Sequence, residues 1–203
     1  DAPDDLIPQF EYIRKSVKAF NLPSIELINY EADDLIATYV EKILDLGAKV
    51  TIVSSDKDLM QLYKKGVRIY DPMKNKFINQ EDVHNKFGVT PEKVIDVQSL
   101  AGDSTDNVPG VPGIGVKTAA ELINQYGTLE NLLKNASKIK QNKRRETLID
   151  NKEDAIISKK LVTLKKDVPV KNKIEEFILK SVDQDKLYSF LREMEFNRLL
   201  SSA

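Results

Sequence analysis

The chain has 203 residues, 41% hydrophobic and 31% charged, with a formal net charge of −1. That length and balance describe one globular domain, or a domain with an appendage, and exclude a disordered or fibrous chain. Cysteine is absent, which excludes a disulfide framework, a thiolate metal site and a cysteine nucleophile and agrees with a reducing cytoplasm. No apolar run is long enough to cross a bilayer and no signal-peptide pattern opens the chain, so no membrane partner is expected. The charge is unevenly placed: residues 1–109 carry a net −6, residues 110–166 a net +6 and residues 167–203 a net −1. An acidic segment feeding a basic one suits a protein that holds metal ions in one part and phosphates in the next; solvated helical surface is the plainer alternative.

In chain order, Asp1-Ala2-Pro3-Asp4-Asp5 reads as the middle of a longer sequence. Phe10, Ile13, Val17 and Phe20 follow the three-and-four spacing of a helix with one buried face over Leu6–Phe20. Asn21-Leu22-Pro23 ends it, because the residue before proline is pushed out of the helical region. Ile25-Glu26-Leu27-Ile28 reads as a short strand. Helical spacing resumes from Ala32 to Leu46, with Ile36, Val40, Ile43 and Leu44 inward, and three acids, Glu31, Asp33 and Asp34, crowd its start. Helix N-termini favour negative charge, which accounts for Glu31 and Asp34. Asp33 shares the side of Ile36, Ala37 and Val40, and a buried aspartate needs a partner.

Gly47 stops that helix, and Lys49–Ser54 is the clearest strand in the chain. Strand, helix and strand with short connections predict a parallel α/β sheet, whose ligands bind beyond the carboxyl ends of the strands. Asp56 and Asp58 lie at that end; a helix N-cap before Leu59 would explain one of them but not both. A strand over Gly66–Tyr70 leads through Asp71-Pro72 into Phe77-Ile78 as a hairpin. Helices follow over Gln80–Phe87, closed by Gly88, and from Thr90-Pro91 to about Ala101. The only histidine, His84, stands among polar residues without a serine or cysteine to form a triad and is read as surface.

Gly102 to Ala119 carries the most specific signal. Asp103 and Asp106 precede Val108-Pro109-Gly110-Val111-Pro112-Gly113-Ile114-Gly115-Val116-Lys117-Thr118-Ala119. Gly110 and Gly115 have the spacing of a nucleotide-binding P-loop, but Val116 stands where that motif needs lysine, so the P-loop reading fails. A hairpin between two helices fits instead. Its glycines let backbone approach a DNA phosphate, while the next helix aims its N–H groups and Lys117 at it, gripping duplex without reading sequence. Helices continue over Thr118–Tyr126 and from Thr128. The run Ile139–Glu146, with Lys143, Arg144 and Arg145, is the most basic stretch, and beside the hairpin it reads as phosphate-binding. Asp167–Val170 is an extended connector, and a last helix spans about Val182 to Leu191. No internal repeat or low-complexity tract is present.

Tyr30-Glu31-Ala32-Asp33-Asp34, Ser54-Ser55-Asp56-Lys57-Asp58-Leu59 and Gly102–Gly110, in that order and followed by the Pro112–Ala119 hairpin, resemble the 5′-nuclease (flap endonuclease-like) domain of bacterial DNA polymerase I over essentially all 203 residues. The resemblance implies an α/β, parallel-sheet PIN/flap-nuclease-like core over residues 1–109. A helical helix–three-turn–helix duplex-binding region over residues 110–203 would follow, with its C-terminal helices packing back on the core. It implies that Glu31, Asp33 and Asp34 help hold one metal and that Asp56, Asp58, Asp103 and Asp106 build a second site, with Asp33 or Asp56 shared. Gly110, Gly113, Ile114, Gly115, Val116, Lys117 and Thr118, with Lys143, Arg144 and Arg145, would grip duplex DNA, and in relatives the hairpin backbone binds a monovalent cation, usually K⁺.

All-oxygen ligands favour Mg²⁺ or Mn²⁺ over Zn²⁺. Two such ions about 4 Å apart activate water and stabilise the leaving oxygen. The implied activity is 5′–3′ exonuclease and flap cleavage of DNA in primer removal and repair, by a cytoplasmic monomer whose parent chain carries a polymerase domain. Relatives also begin with a strand carrying a metal-binding aspartate, then a second such aspartate, then an arched, Arg/Lys-bearing segment that threads the 5′ strand; these have no counterpart here, so this chain is expected to be weakly active or inactive by itself. A non-catalytic, structure-specific duplex-binding module is the rival reading. A metal-dependent RNase of the same superfamily is disfavoured by the glycine-rich hairpin.

Overall fold

A computed structural model describes residues 3–202. They fall into two compact units, one formed by residues up to Asn29 together with Pro169 onward, the other by Tyr30–Val168. Among the described residues no helix is long and apolar enough to cross a membrane.

In the first unit, helix α1 (Gln9–Ala19) forms where the apolar spacing placed it. Its face differs from expectation: Phe10 and Ile13 are 43% and 54% exposed, and only Ala19 is buried. The Ile25–Ile28 segment is not a strand. A strand is stabilised by a partner, and this segment joins no ladder; Ile28 is 86% exposed.

The second unit begins with α2 (Ala32–Asp45), whose Ala37 and Val40 are buried against the sheet core. The sheet has three strands in the order β1 (Val50–Val53), β2 (Val67–Asp71) and β3 (Lys76–Ile78). The first pair is parallel, in register Val50↔Val67 to Val53↔Tyr70, and residues 54–66 make the crossover through a 3₁₀ turn at Asp58–Leu62. β3 returns antiparallel, pairing Ile69 with Ile78. The sheet is therefore mixed rather than wholly parallel. The turn between β2 and β3 is too short for a parallel crossover. Val67 and Ile69 point inward with alternation from β2.

Helix α3 (Gln80–Phe87) opens on a capping box: Asn79 accepts the Asp82 N–H and Asp82 accepts the Asn79 N–H. It closes on Gly88 in the left-handed region, as the sequence suggests. The helix expected from Thr90 starts as a 3₁₀ turn, Pro91–Lys93, and becomes α4 (Val94–Ala101). Val94, Val97 and Leu100 are fully buried and even Asp96, Gln98 and Ser99 are covered, so α4 is an internal strut. It meets α5 (Val116–Tyr126) and, beyond α6 (Leu129–Lys134) and α7 (Asn142–Asp150), α8 (Lys152–Val162). One hydrophobic cluster runs from Val40 and Ile69 through Val97 to Ile123, Leu132 and Leu148. The acid-rich and base-rich parts thus share a core. Lys159 of α8 donates to Asp96 of α4 (2.7 Å) and to Glu130 of α6 (2.6 Å). That pairing satisfies a carboxylate with a nearly buried side chain.

The chain then returns to the first unit with α9 (Gln184–Glu193) and α10 (Asn197–Leu200). Leu187, Phe190 and Leu191 pack with Ala19 in a small second core. Asn21 Nδ2 donates to the Ser181 carbonyl at 2.7 Å.

The tightest backbone contact lies where the acidic loop joins the hairpin. A Cβ on Gly110 (φ +61°) would sit 2.5 Å from the Gly102 nitrogen and 2.7 Å from the Ala101 carbonyl carbon. Gly110 N–H donates to the fully buried Ser158 hydroxyl at 2.8 Å. Gly110→Ala therefore meets both left-handed strain and a backbone clash, and should cost at least about 2 kcal/mol. Gly113→Ala, also at positive φ but with open space around the added carbon, should cost only about 1 kcal/mol. Urea denaturation of the two variants tests this; equal losses would contradict the contact.

Candidate metal centre and duplex-binding surface

Three local structures present the acids. At the start of α2, Glu31 occupies the N-cap with extended backbone but makes no side-chain cap, and Asp33 and Asp34 stand in the first turn. Asp33 is half-buried. Asp34 Oδ1 accepts the Lys165 N–H at 2.7 Å, so one of its oxygens anchors the segment after α8. After β1, two successive side-chain turns aim the next acids. Ser54 Oγ accepts the Asp56 N–H (3.0 Å), and Asp56 Oδ1 accepts the Asp58 N–H (2.8 Å). The N-cap of the following 3₁₀ turn is Lys57, without a side-chain cap, so capping explains neither aspartate. Asp58 is held by the Gln98 side-chain amide of α4. The third structure is a loop closed by reciprocal Asp103–Val108 backbone hydrogen bonds of 2.9 and 2.8 Å. Asp103 Oδ1 also accepts the Thr105 N–H, while Asp106 lies exposed.

The electrostatics show which of these acids face one another. Burial, followed by the charges of Asp56, Asp58, Glu31 and Asp34, pushes the Asp33 carboxyl up to about 6. Burial also pushes Asp58 up, against the Gln98 hydrogen bond and Lys57 that favour its charged form, with Asp56 and Asp106 adding to the rise. Lys57 pairs with Asp103. That hydrogen bond raises the Lys57 ammonium and holds the Asp103 carboxyl below the usual range. Glu31, Asp34, Asp56 and Asp58, four of the other six acids, therefore bear on Asp33 directly or as its helix neighbours, and Lys57 links that group to Asp103 and Asp106. Among the described residues no three of them close around one point in the manner of a chelating site. The donors are nevertheless all oxygen, and Mg²⁺ keeps most of its water and needs only one or two carboxylates. The chemistry fits such an ion.

Two participants were missed from sequence. Lys57 lies between Asp56 and Asp58, and no local spacing links it to Asp103. Gln98 lies on a helix whose every residue from Val94 to Leu100 except Ile95 is buried, so a polar side chain there needs a partner, which was the available signal. Its Oε1 is buried without a hydrogen-bond partner among the described residues, so the amide that holds Asp58 carries an unused acceptor.

The hairpin is anchored by buried Val111 and Ile114, with Val111 N–H donating to the Leu100 carbonyl (2.8 Å) and Ile114 N–H to the Val111 carbonyl (3.0 Å). Gly115 caps α5 with extended backbone, and nothing lies within 4 Å of a carbon added at Gly113 or Gly115. Val116 and Lys117 are exposed and Thr118 half-buried. A cleft of about 210 Å³ runs between Pro112, Gly113, Ile114 and Thr118 on one side and Gln141, Lys143, Arg144 and Thr147 on the other. Tertiary structure thus sets the hairpin against the basic run. Arg144 also approaches Glu121 at 3.9 Å. Arg145 is turned inward and donates to the Ile139 carbonyl (2.9 Å) and Asn142 Oδ1 (2.8 Å).

Residues 1–88 match the family model described as "5'-3' exonuclease, N-terminal resolvase-like domain", and residues 89–185 match "5'-3' exonuclease, C-terminal SAM fold". The 5'-3' exonuclease of Aquifex aeolicus is 42% identical over 199 residues, covering 98% of this chain and 68% of that protein. The chain belongs to the 5′–3′ exonuclease family. DNA polymerase I of Rhizobium leguminosarum is 53% identical over 197 residues, 97% of this chain. The chain spans 19% of that polymerase and 23% of the one from Bacillus caldotenax. Among solved structures, the T5 D15 protein co-crystallised with metal ions superposes with a TM-score of 0.73 at 24% identity, over 95% of this chain and 73% of that one. The catalytic core of Rad2 in complex with DNA substrate gives 0.61 at 19% identity, over 95% and 64%. Both likenesses concern the fold, an α/β core with a helical C-terminal region.

The raised Asp33 pKa fixes the sign of a pH effect. Between the unfolded value near 3.8 and the folded value near 6, the native state binds more protons, so stability falls as pH rises through that window. In EDTA, Asp33→Asn should match the parent melting temperature near the lower end of the window and exceed it at neutral pH. Melting curves across the window check this. A variant that is less stable at neutral pH would show that the aspartate is not repelled.

Proposed function

We propose that this chain carries the catalytic acids and part of the duplex-binding surface of a metal-dependent 5′ nuclease. The reaction is hydrolysis of DNA phosphodiesters near 5′ ends or flaps, as in primer removal and repair. The observation that carries the proposal is the convergence of acids from two separate segments on Asp33, with a third acidic loop tied to them through Lys57, one glycine crossing away from a basic, glycine-edged cleft. Glu31, Asp33, Asp34, Asp56, Asp58, Asp103 and Asp106 are the residues assigned to two Mg²⁺ or Mn²⁺ ions. When bound, such ions supply an activated water and neutralise charge on the leaving oxygen. The chain's own residues orient this set. Gln98 holds Asp58, Lys57 holds Asp103, and the Ser54–Asp56–Asp58 turns aim two carboxylates from one strand end.

The duplex is held at the hairpin cleft, within residues 110–147, apart from the acids of residues 30–109. Gly113 to Thr118 present backbone and the first-turn N–H groups of α5 to phosphate, with K⁺ as the monovalent ion at the hairpin and Lys117, Lys143 and Arg144 as cations; Gly110, expected among them, is buried and spends its N–H on Ser158. The setting is a cytoplasmic monomer, in a longer protein with a polymerase domain. A non-catalytic duplex-binding module is the second reading, favoured by the absence of a closed three-acid group among the described residues.

A labelled 5′-flap duplex with Mg²⁺, tested on this chain and on the longer protein containing it, separates the two. Cutting that Asp33→Asn or Asp56→Asn reduces at least about a thousandfold, with duplex binding kept within about twofold, is expected for the nuclease. Binding without cutting by the longer protein supports the module.

For the grip itself, Lys117→Ala should weaken duplex binding and lower the salt slope by about one. Arg145→Ala should leave the slope unchanged, because its guanidinium already caps Ile139 and Asn142. Fluorescence anisotropy over a salt series measures both, and a lowered slope for Arg145→Ala would overturn the inward assignment.

A further inference from the structure

A second cleft, of about 900 Å³, lies between α6, α8 and residues 163–167. It shares no residue with the hairpin cleft. Its floor is apolar: Leu129 is buried, and Leu133, Ile156 and Leu164 are half-buried. Its rim holds six lysines. Three have structural partners: Lys159 pairs with Asp96 and Glu130, Lys165 with Asp167 at 2.8 Å, and Lys166 with Glu41 at 3.1 Å. The other three, Lys134, Lys152 and Lys160, are exposed, and none has a carboxylate within ion-pairing distance among the described residues. Lys152 is the first residue of α8, where the helix dipole disfavours positive charge, so it gains nothing from its own helix.

Unpaired positive charge around an apolar floor selects a ligand that is both anionic and apolar. A single nucleic-acid strand has that character, but it binds by stacking bases on aromatic rings, and no aromatic side chain lines this cleft. The opening, rimmed by exposed lysine stems, suits a segment that lays one apolar face down and keeps acids at its edges. We infer that the α6–α8 cleft docks a short, acidic amphipathic segment of a protein partner. Aliphatic side chains of that segment cover Leu133, Ile156 and Leu164, and its carboxylates pair with Lys134, Lys152 and Lys160. The inference stands apart from the metal centre and from the duplex-binding cleft.

The test uses a fluorescent helical peptide of about four turns, with leucines along one face and glutamates beside them. Two control peptides replace the glutamates by lysine or the leucines by serine, and oligothymidylate serves as a competitor. The acidic peptide should bind with chemical-shift changes confined to α6, α8 and residues 163–167, and both controls should bind much more weakly. The triple variant Lys134→Glu, Lys152→Glu, Lys160→Glu should bind it about tenfold more weakly or worse while keeping the parent melting curve and flap-duplex affinity. Asp33→Asn should bind the peptide unchanged, so failure of the nuclease reading and failure of this one are distinguishable. Absence of binding, equal binding of the lysine control, undiminished binding by the triple variant, or displacement by oligothymidylate would overturn the proposal.

Discussion

Two glycine backbones in contact hold the rest of the 30–168 body in place. Gly102 ends the internal helix α4 and Gly110 opens the path to the hairpin, and no side chain fits between them. The loop they pinch off carries Asp103 and Asp106 and is locked by the Asp103–Val108 hydrogen bonds. On the far side, Val111 N–H reaches Leu100 and Gly110 N–H reaches Ser158 on α8. One crossing therefore fixes the acidic loop, the hairpin and α8 relative to α4. The separation between the carboxylates and the hairpin cleft is set by packed backbone, which deforms little, rather than by flexible side chains.

Charge is arranged on the same scaffold with unequal roles for similar residues. Lys57 steadies one acid within a repulsive group, and Lys159 satisfies a carboxylate inside the helical layer. Arg145 caps a neighbouring turn, while Lys143 and Arg144 remain on the cleft. The repulsion among the acids is a standing cost of the isolated chain, because burial and like charge together raise Asp33. Such stored strain is characteristic of sites built to receive a cation. It also explains why α4 carries a buried glutamine: a neutral amide can steady Asp58 without discharging the site.

Much of the fold was legible in the residues. The helix at Gln80–Phe87 was delimited by Asn79 and Gly88, and the strand at Val50–Val53 by its β-branched run. Two expectations failed for one reason. Ile25–Ile28 has strand composition and Phe10 and Ile13 have helical spacing, but a strand requires a partner and an apolar stripe requires a covering face. Neither requirement is written in the segment itself. The hairpin expected into Phe77-Ile78 did form, as β3 antiparallel to β2, because its short turn is itself a local feature.

The sequence by itself determined capped helix ends such as Asn79 and Gly88, the order of the three acid blocks and the glycine spacing of the hairpin. Those features follow from capping, periodicity and backbone freedom, which act over a few neighbouring residues. Tertiary structure alone decided which charges meet. Lys57 and Asp103 are 46 residues apart, Gln98 and Asp58 are 40 apart, and Lys159 and Asp96 are 63 apart. Such pairings depend on how α4 and α8 pack around a shared core, and no local spacing encodes them. For that reason the acids could be named from the chain, while the amide and lysine that orient them, the inward turn of Arg145 and the lysine-rimmed cleft of α6 and α8 emerged only in the folded protein.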